Sequence, residues 1–264
     1  MEDVGLLVLD SSQITVSHSL LNALVENKSI VVCCDSTHHP AGMLYSLEGH
    51  SEQTRRLTAQ VESSLPLRKN LWQQVVSQKL LNQAEMLRRV RANEEPLLRY
   101  SKEVRSGDPA NMEGRGAAYY WPLVFPELPG FVRSREGKSP NPWLNYGYSI
   151  VRASMARALV GAGLHPALGI FHKNKYNSFC LADDLMEPYR PMVDLAVSLL
   201  IHRHGAGEEL SKEVKQALLA VPAQDVQIKG ERSPMMVAME KTAVSLVKCY
   251  MGESRQLHLP SFHS

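Results

Sequence analysis

The feature that most constrains this chain is a change of hydrophobic period near residue 49. Before it, GLLVL, SIVVCC and MLYSL are short apolar, often β-branched runs set apart by turn residues such as HHPAG, the texture of β-strands. Between the first two, SHSLLNALVEN reads as a short helix capped by Ser17 or Ser19. After residue 49, apolar residues recur at helical spacing through segments at about 51–64, 66–92, 95–106, 109–125, 141–162, 178–202, 209–220 and 233–252. Little strand propensity remains outside LGIF at 168–171 and DVQI at 225–228. The expected fold class is α+β: a small β-rich N-terminal domain over residues 1–48 and a larger, mostly α-helical domain over 49–264.

Composition removes several alternatives. The 264 residues are 44% hydrophobic and 21% charged, enough for a full core and too apolar for dominant disorder. A net charge of +2 does not by itself indicate nucleic acid. Its distribution says more: between Ser51 and Arg105 stand eleven Lys or Arg against six Asp or Glu, a surface that could follow a phosphate backbone or simply be a solvated helix face. The four cysteines contain no CxxC pair, so neither a zinc nor a disulfide framework is expected. Asp35, His38 and His39 could suggest a metal site, but a polar hairpin loop accounts for them more simply. No apolar run reaches the roughly 18 residues of a membrane helix and no signal-peptide pattern opens the chain, so a cytoplasmic location is expected.

The chemistry concentrates in FHKNKYNSFCLADDLMEPYRP, residues 171–191. Asp184 shares an apolar helical stripe with Leu181, Leu185 and Met192, and Glu187 follows three residues later, so the two carboxylates are expected on one side of a helix. Like charges that close call for a cation: Arg190, a lysine from 173 or 175, or a metal ion. On repulsion alone, removing Glu187 should leave stability unchanged or raise it. In PANMEGRGAAYYWPLVF, Glu113 also heads an apolar stripe, with Ala117, Tyr120, Trp121 and Val124. A carboxylate there needs a partner, either a tyrosine hydroxyl or a bound ion. A histidine with two or three such acids is a mixed N/O set suited to Mg²⁺ or Mn²⁺. His172, ending LGIF, is preferred to His165 for that role. The loops at 125–142 and 172–177 flank these segments and are rich in Gly, Pro and basic residues.

NMEGRGAAYYWPLVF, NPWLNYGYSIVRA, GLHPALGIFH and SFCLADDLMEPYRP, in that order, resemble the signature blocks of the CRISPR-associated spacer-acquisition endonuclease/integrase family. The upstream segments DVGLLVLDSSQITVSHSLLNALVENKSIVVCCD and GMLYSLEGHSEQTRRLTAQV resemble its N-terminal β domain and the transition into its helical domain. LADDLMEPYRP and LEGHS are most similar to the type II branch, whose systems carry the Cas9 effector. The resemblance implies additional strand residues before the equivalent of Asp3, so that the chain starts late within that domain.

By position, the resemblance implies Glu113, His172 and Glu187 as catalytic ligands of a divalent metal, Mg²⁺ or Mn²⁺, with Asp184 beside them as a further ligand or a support. It implies that Asn141, Asn145 and Tyr148 shape the site by donating to phosphate or holding the ligands. The basic residues Arg133, Arg135, Lys138, Lys173 and Lys175 are expected to line a DNA path. The implied activity inserts new spacer DNA into the CRISPR array by attack of a 3′-hydroxyl on a phosphodiester. The same site would act as a nuclease with water as nucleophile, and a non-catalytic DNA-binding scaffold is the rival. Implied partners are double-stranded DNA, as prespacer and CRISPR repeat, a second copy of the chain, and a small ferredoxin-like protein, Cas-two, completing a heterohexamer. Further type II factors can join, and no membrane is involved.

Overall fold

Strand β1 (Leu6–Leu9) lies parallel to β2 (Ile30–Cys34), and α1 (His18–Glu26) makes the connection between them. Ser17 begins α1, its hydroxyl accepting the Leu20 N–H at 3.2 Å. Strand β3 (Pro40–Leu44) pairs antiparallel with β2, giving the order β1-β2-β3. Alternation along β2 turns Ile30 and Val32 toward Ala153, joining this sheet to the helical part of the chain. The third strand begins earlier than the MLYSL run suggests, at Pro40, because a proline is tolerated at the first residue of an edge strand. The structure, a computed structural model, describes residues 4–35, 40–46, 51–207 and 209–263. His38, His39 and the expected boundary at 48/49 lie outside the described residues.

Next come α2 (Gln53–Val61), α3 (Leu65–Arg89), α4 (Glu95–Glu103), α5 (Met112–Tyr120), α6 (Asn141–Gly161), α7 (Cys180–Met186), α8 (Arg190–His204) and α9 (Lys212–Leu219). Strands β4 (Asp225–Ile228) and β5 (Glu231–Pro234), then α10 (Met235–Tyr250) and β6 (Ser261–Phe262) complete the chain. Helix α3 is the longest of those described, at 25 residues. Ser64 caps it by accepting from Leu67 N–H, and its buried stripe runs Trp72, Val75, Val76, Lys79, Gln83, Met86. One apolar cluster joins α3, α6, α8 and α10. No described helix is long and apolar enough to cross a membrane.

Three expected elements differ, each for a local reason. The helix expected at 109–125 spans only Met112–Tyr120. Asp108 and Asn111 have φ of +47° and +52°, which stops it extending upstream, and Pro122 removes an N–H just past its end. The helix expected over 178–202 breaks into α7, a 3-10 turn at Glu187–Tyr189, and α8. Pro188 cannot donate to the carbonyl of Asp184, so the chain tightens there. LGIF forms no strand: the Phe171 and His172 N–H groups donate to the Asp184 carboxylate instead of to a ladder. In DVQI the expectation is met, since β4 sits between β5 and β6.

Candidate active site

Helix α3 forms the back wall of the site. Lys79 lies in the middle of its apolar stripe, and its Nζ stands 2.8 Å from Glu113 Oε1 on α5 and 2.5 Å from Glu187 Oε2 in the 3-10 turn. Two turns earlier, Trp72 stacks on Phe171 with centroids 4.4 Å apart and meets His172 edge-on at 5.3 Å. Glu113 is aimed by a doubly held helix start: Asp108 accepts the N–H groups of Met112 and Glu113, and Asn111 accepts that of Gly114. Gly116 lets α5 approach α3, because a Cβ there would lie 2.2 Å from Leu80 Cδ2. Glu187 is positioned through its neighbour: Asn82 Nδ2 donates to Pro188 O at 2.6 Å and to Pro260 O at 3.0 Å.

Glu187 has a second cation, Arg190 Nε, 2.8 Å from its Oε1. Burial opposes its ionisation, but Arg190 and Lys79 outweigh burial and hold its carboxyl below the ordinary range. Burial likewise opposes the charge on Lys79, and the two glutamates overcome it and raise the ammonium's pKa. The Arg190 pairing expected from sequence is present; Lys79, counted there among the basic residues of a possible outer surface, is buried and has become the central cation.

Asp184 is fully buried and takes different partners from Glu187. Its Oδ1 is 2.6 Å from His172 Nδ1 and accepts the His172 N–H, while Oδ2 accepts the Phe171 N–H at 2.8 Å. Both oxygens face the 171–172 loop, so Asp184 orients His172 and is not turned toward Glu113. Gly169 makes this closure possible: a Cβ there would be 2.4 Å from His172 O and 2.9 Å from Asp184 Oδ2. The Asp184 hydrogen bond raises the His172 pKa, with Glu113 and Glu187 adding to it, and burial raises that of Asp184. Both shifts keep a proton on the pair. Nδ1 being engaged, Nε2 is the ring nitrogen left for a ligand, and the side chain is 49% exposed.

Glu113 and Glu187 thus meet around an ammonium from two separate elements, and His172, from a third, is near enough for both glutamates to raise its pKa. Among the described residues, no group of three or more His, Cys, Asp or Glu side chains is placed to hold a metal ion. The donor set nevertheless fits one. Two carboxylates already converge on a single cation, and the adjacent histidine is anchored through one nitrogen in the manner of metal-bound imidazoles. His165 does not take part; its Nδ1 accepts the Ala167 N–H.

Beside this cluster an open cavity of about 220 Å³ is lined by Arg133, Arg135, Asn145, Tyr148, Arg152 and Arg190, among others. Arg152 pairs with Asp183 at 2.7 Å and Arg190 with Glu187, so both lead from the cavity to the acids. Arg133 is held by the protein: it donates to Asn141 Oδ1, Asn145 Oδ1 and Ser134 O. The residues expected to shape the site are engaged within the protein, Asn145 and Tyr148 at the lining of this cavity. Asn141 and Asn145 tie the 125–142 loop to α6, because their amides satisfy the carbonyls of Val132, Lys138 and Arg135. Tyr148 donates to Asp194. Arg135 and Lys138 are exposed on that loop, as are Lys173 and Lys175 after His172, Lys175 resting over the Tyr176 ring at 4.7 Å. Sequence reasoning missed Lys79, Trp72 and Arg152; for Lys79 the available signal was a lysine at an interior position of the 72/75/76/79/83/86 stripe.

Fold and site define a class: an α+β protein whose helical part brings two carboxylates on a buried lysine, an aspartate-anchored histidine and an arginine-lined cavity together. The family described as CRISPR associated protein Cas1 matches residues 1–223, and the chain belongs to that family. It is 34% identical over 264 aligned residues to the CRISPR-associated endonuclease Cas1 of Neisseria meningitidis serogroup C (strain 8013), covering 98% of this chain and 86% of that one. It is 26% identical to a Cas1 endonuclease of Pyrobaculum aerophilum, covering 94% and 88%. Among solved structures the fold is similar to a casposase bound to integration product (TM-score 0.78, 20% identity, 97% and 80% covered) and to a CAS1 protein from Thermotoga maritima (TM-score 0.76, 17% identity, 100% and 89% covered). It is also similar to a chain of a Cas6-RT-Cas1–Cas2 complex (TM-score 0.73, 20% identity, 95% and 31% covered).

Proposed function

We propose that the chain is a divalent-metal-dependent DNA endonuclease/integrase of CRISPR adaptation, joining a DNA 3′-hydroxyl to a phosphodiester with release of a new 3′-hydroxyl. One bond between oxygen and phosphorus forms as another breaks, so positioning carries most of the work. The observation that supports this reading most is the convergence of Glu113 and Glu187 on one buried cation next to His172. Those three side chains would hold Mg²⁺ or Mn²⁺, which when bound supplies a Lewis acid for the phosphate and lowers the pKa of an attacking hydroxyl. Asp184 fixes the His172 ring so that Nε2 faces outward from the pair. Arg152 and Arg190 would receive phosphate oxygens in the adjoining cavity, and Arg135, Lys138, Lys173 and Lys175 would track the DNA backbone without reading sequence.

The endonuclease name of the Neisseria relative and the integration product bound by the casposase support the activity. The Cas1–Cas2 complex among similar structures supports a Cas2 partner; a heterohexamer with two copies of the chain on each side of that partner is the assembly the family resemblance implies. The test is a strand-transfer assay with the chain, its Cas2 partner and labelled prespacer DNA. Joined product is expected with Mg²⁺ or Mn²⁺ and none with chelator. Duplex binding without joining in either metal would instead support a non-catalytic scaffold.

A further inference from the structure

The cluster's charges are balanced without any metal. Glu113 and Glu187 are matched by Lys79 and Arg190, and all four meet within ion-pair distances of 2.5–2.8 Å. A divalent ion entering between the carboxylates would meet the Lys79 ammonium at the same place and leave the cluster with two surplus positive charges, in a setting where burial makes unbalanced charge costly. Relief requires either departure of the ammonium or arrival of anions, and DNA phosphates are the anions this site would meet.

We propose that Lys79 is a resident competitor for the divalent cation, occupying the carboxylate pair in the DNA-free protein and yielding it when phosphate compensates the charge. The inference rests on the metal-dependent reading above and adds a regulatory consequence to it: ion uptake and DNA binding reinforce each other. By linkage the coupling is reciprocal, so DNA tightens Mn²⁺ binding by the factor by which Mn²⁺ tightens DNA. Three features on separate elements carry it. Lys79 lies on the buried stripe of the long helix α3 and cannot drift into solvent without turning its whole stem. Its Nζ contacts both carboxylates at once. Those carboxylates are held from their own backbones, by Asp108 and Asn111 at the start of α5 and by Asn82 at Pro188, so the pair persists when the ammonium leaves.

The experiment is a Mn²⁺ titration of the purified chain without DNA, followed by the electron paramagnetic resonance signal of free Mn²⁺. Lys79→Met should bind Mn²⁺ at least about tenfold more tightly than wild type, and Lys79→Arg, which keeps the charge, should stay within about threefold of it. Should Lys79→Met fail to fold, reductive methylation of the wild type, read residue by residue by mass spectrometry, takes its place. Lys79 should then be labelled faster when Mn²⁺ and duplex DNA are both present. Site-specific Mn²⁺ binding with no gain in Lys79→Met, or labelling of Lys79 that ignores Mn²⁺ and DNA, would overturn the proposal alone. Mn²⁺ binding that Glu187→Gln does not weaken would overturn the metal reading and the proposal with it.

Discussion

Glu187 and Asp194 are seven residues apart in the chain and both buried, yet their surroundings push their carboxyls in opposite directions. Glu187 meets Lys79 and Arg190 and is held ionised. Asp194 accepts hydrogen bonds from the hydroxyls of Tyr120 and Tyr148, and burial raises its pKa to about 6. The tyrosines are themselves pushed well above their ordinary range, first by burial and then by Asp194. An acid compensated by cations keeps a site at which one cation can replace another. An acid compensated by neutral hydroxyls ties helices α5, α6 and α8 together and offers no such place. The difference is set by which elements arrive, not by the acids themselves.

The largest expected effect breaks the cation-compensated side. Glu187→Ala leaves Lys79 and Arg190 buried without their carboxylate, which should lower unfolding stability by about 3–5 kcal/mol and remove strand transfer. This reverses the sign expected from repulsion between two acids alone, because the repulsion is already neutralised by Lys79. Urea denaturation and strand transfer on the same preparation check both parts.

The hydroxyl-compensated side should show itself through pH. Asp194 has a folded pKa raised from the ordinary 3.8 to about 6, so its contribution to stability is fully present below about pH 4 and is lost as pH rises through about 6. The loss amounts to about 3 kcal/mol. In Asp194→Asn, the difference in stability from wild type should therefore change by most of that amount, about 2.4 kcal/mol, between pH 4 and 7, measured by urea denaturation across the range. A difference that stays flat would show that the tyrosine pair keeps Asp194 ionised, as Lys79 and Arg190 keep Glu187.

Between these lies Asp184, which serves the site through His172. Asp184→Asn should weaken Mn²⁺ binding by about 10–100-fold, the usual effect of losing a histidine's orienting partner, and isothermal titration measures it. The smallest effect belongs to the exposed lysines. Lys173→Ala with Lys175→Ala should reduce the slope of log affinity against log salt by about 0.9 for each phosphate that is no longer neutralised on duplex DNA. An unchanged slope would leave both as solvated loop residues.

Much of this arrangement is legible in the sequence. The change of period near residue 49 separates strands from helices, and Glu113 and Asp184 stand out as acids on apolar stripes. The four ordered blocks, by resemblance, imply Glu113, His172 and Glu187 as one set, and the structure brings Glu113 and Glu187 onto Lys79. What could not be read depends on contacts between distant segments. Lys79 looks like any basic residue of a long helix until α5 and the 3-10 turn bring acids to it, from 34 positions downstream in one case. LGIF has the composition of a strand, but Asp184 captures the N–H of its last residue, Phe171, and that of the following His172. Pro188 is visible in the sequence, although its effect, placing Glu187 in a 3-10 turn between α7 and α8, shows only in the structure. Asn141, Asn145 and Tyr148 are polar residues near a site, and only the fold shows that buried carbonyls and Asp194 engage them first.

A divalent ion held by Glu113, His172 and Glu187 should touch the phosphate being transferred. Strand transfer into a target whose scissile phosphate carries sulfur at a non-bridging oxygen, compared in Mg²⁺ and in the more sulfur-tolerant Mn²⁺, reads that coordination without intermediaries. Sulfur should slow joining in Mg²⁺, Mn²⁺ should restore it, and Glu187→Gln should be inactive in both. Equal rates for oxygen and sulfur substrates in both metals, or a Glu187→Gln variant that joins DNA at the wild-type rate, would contradict a metal ion at these three residues.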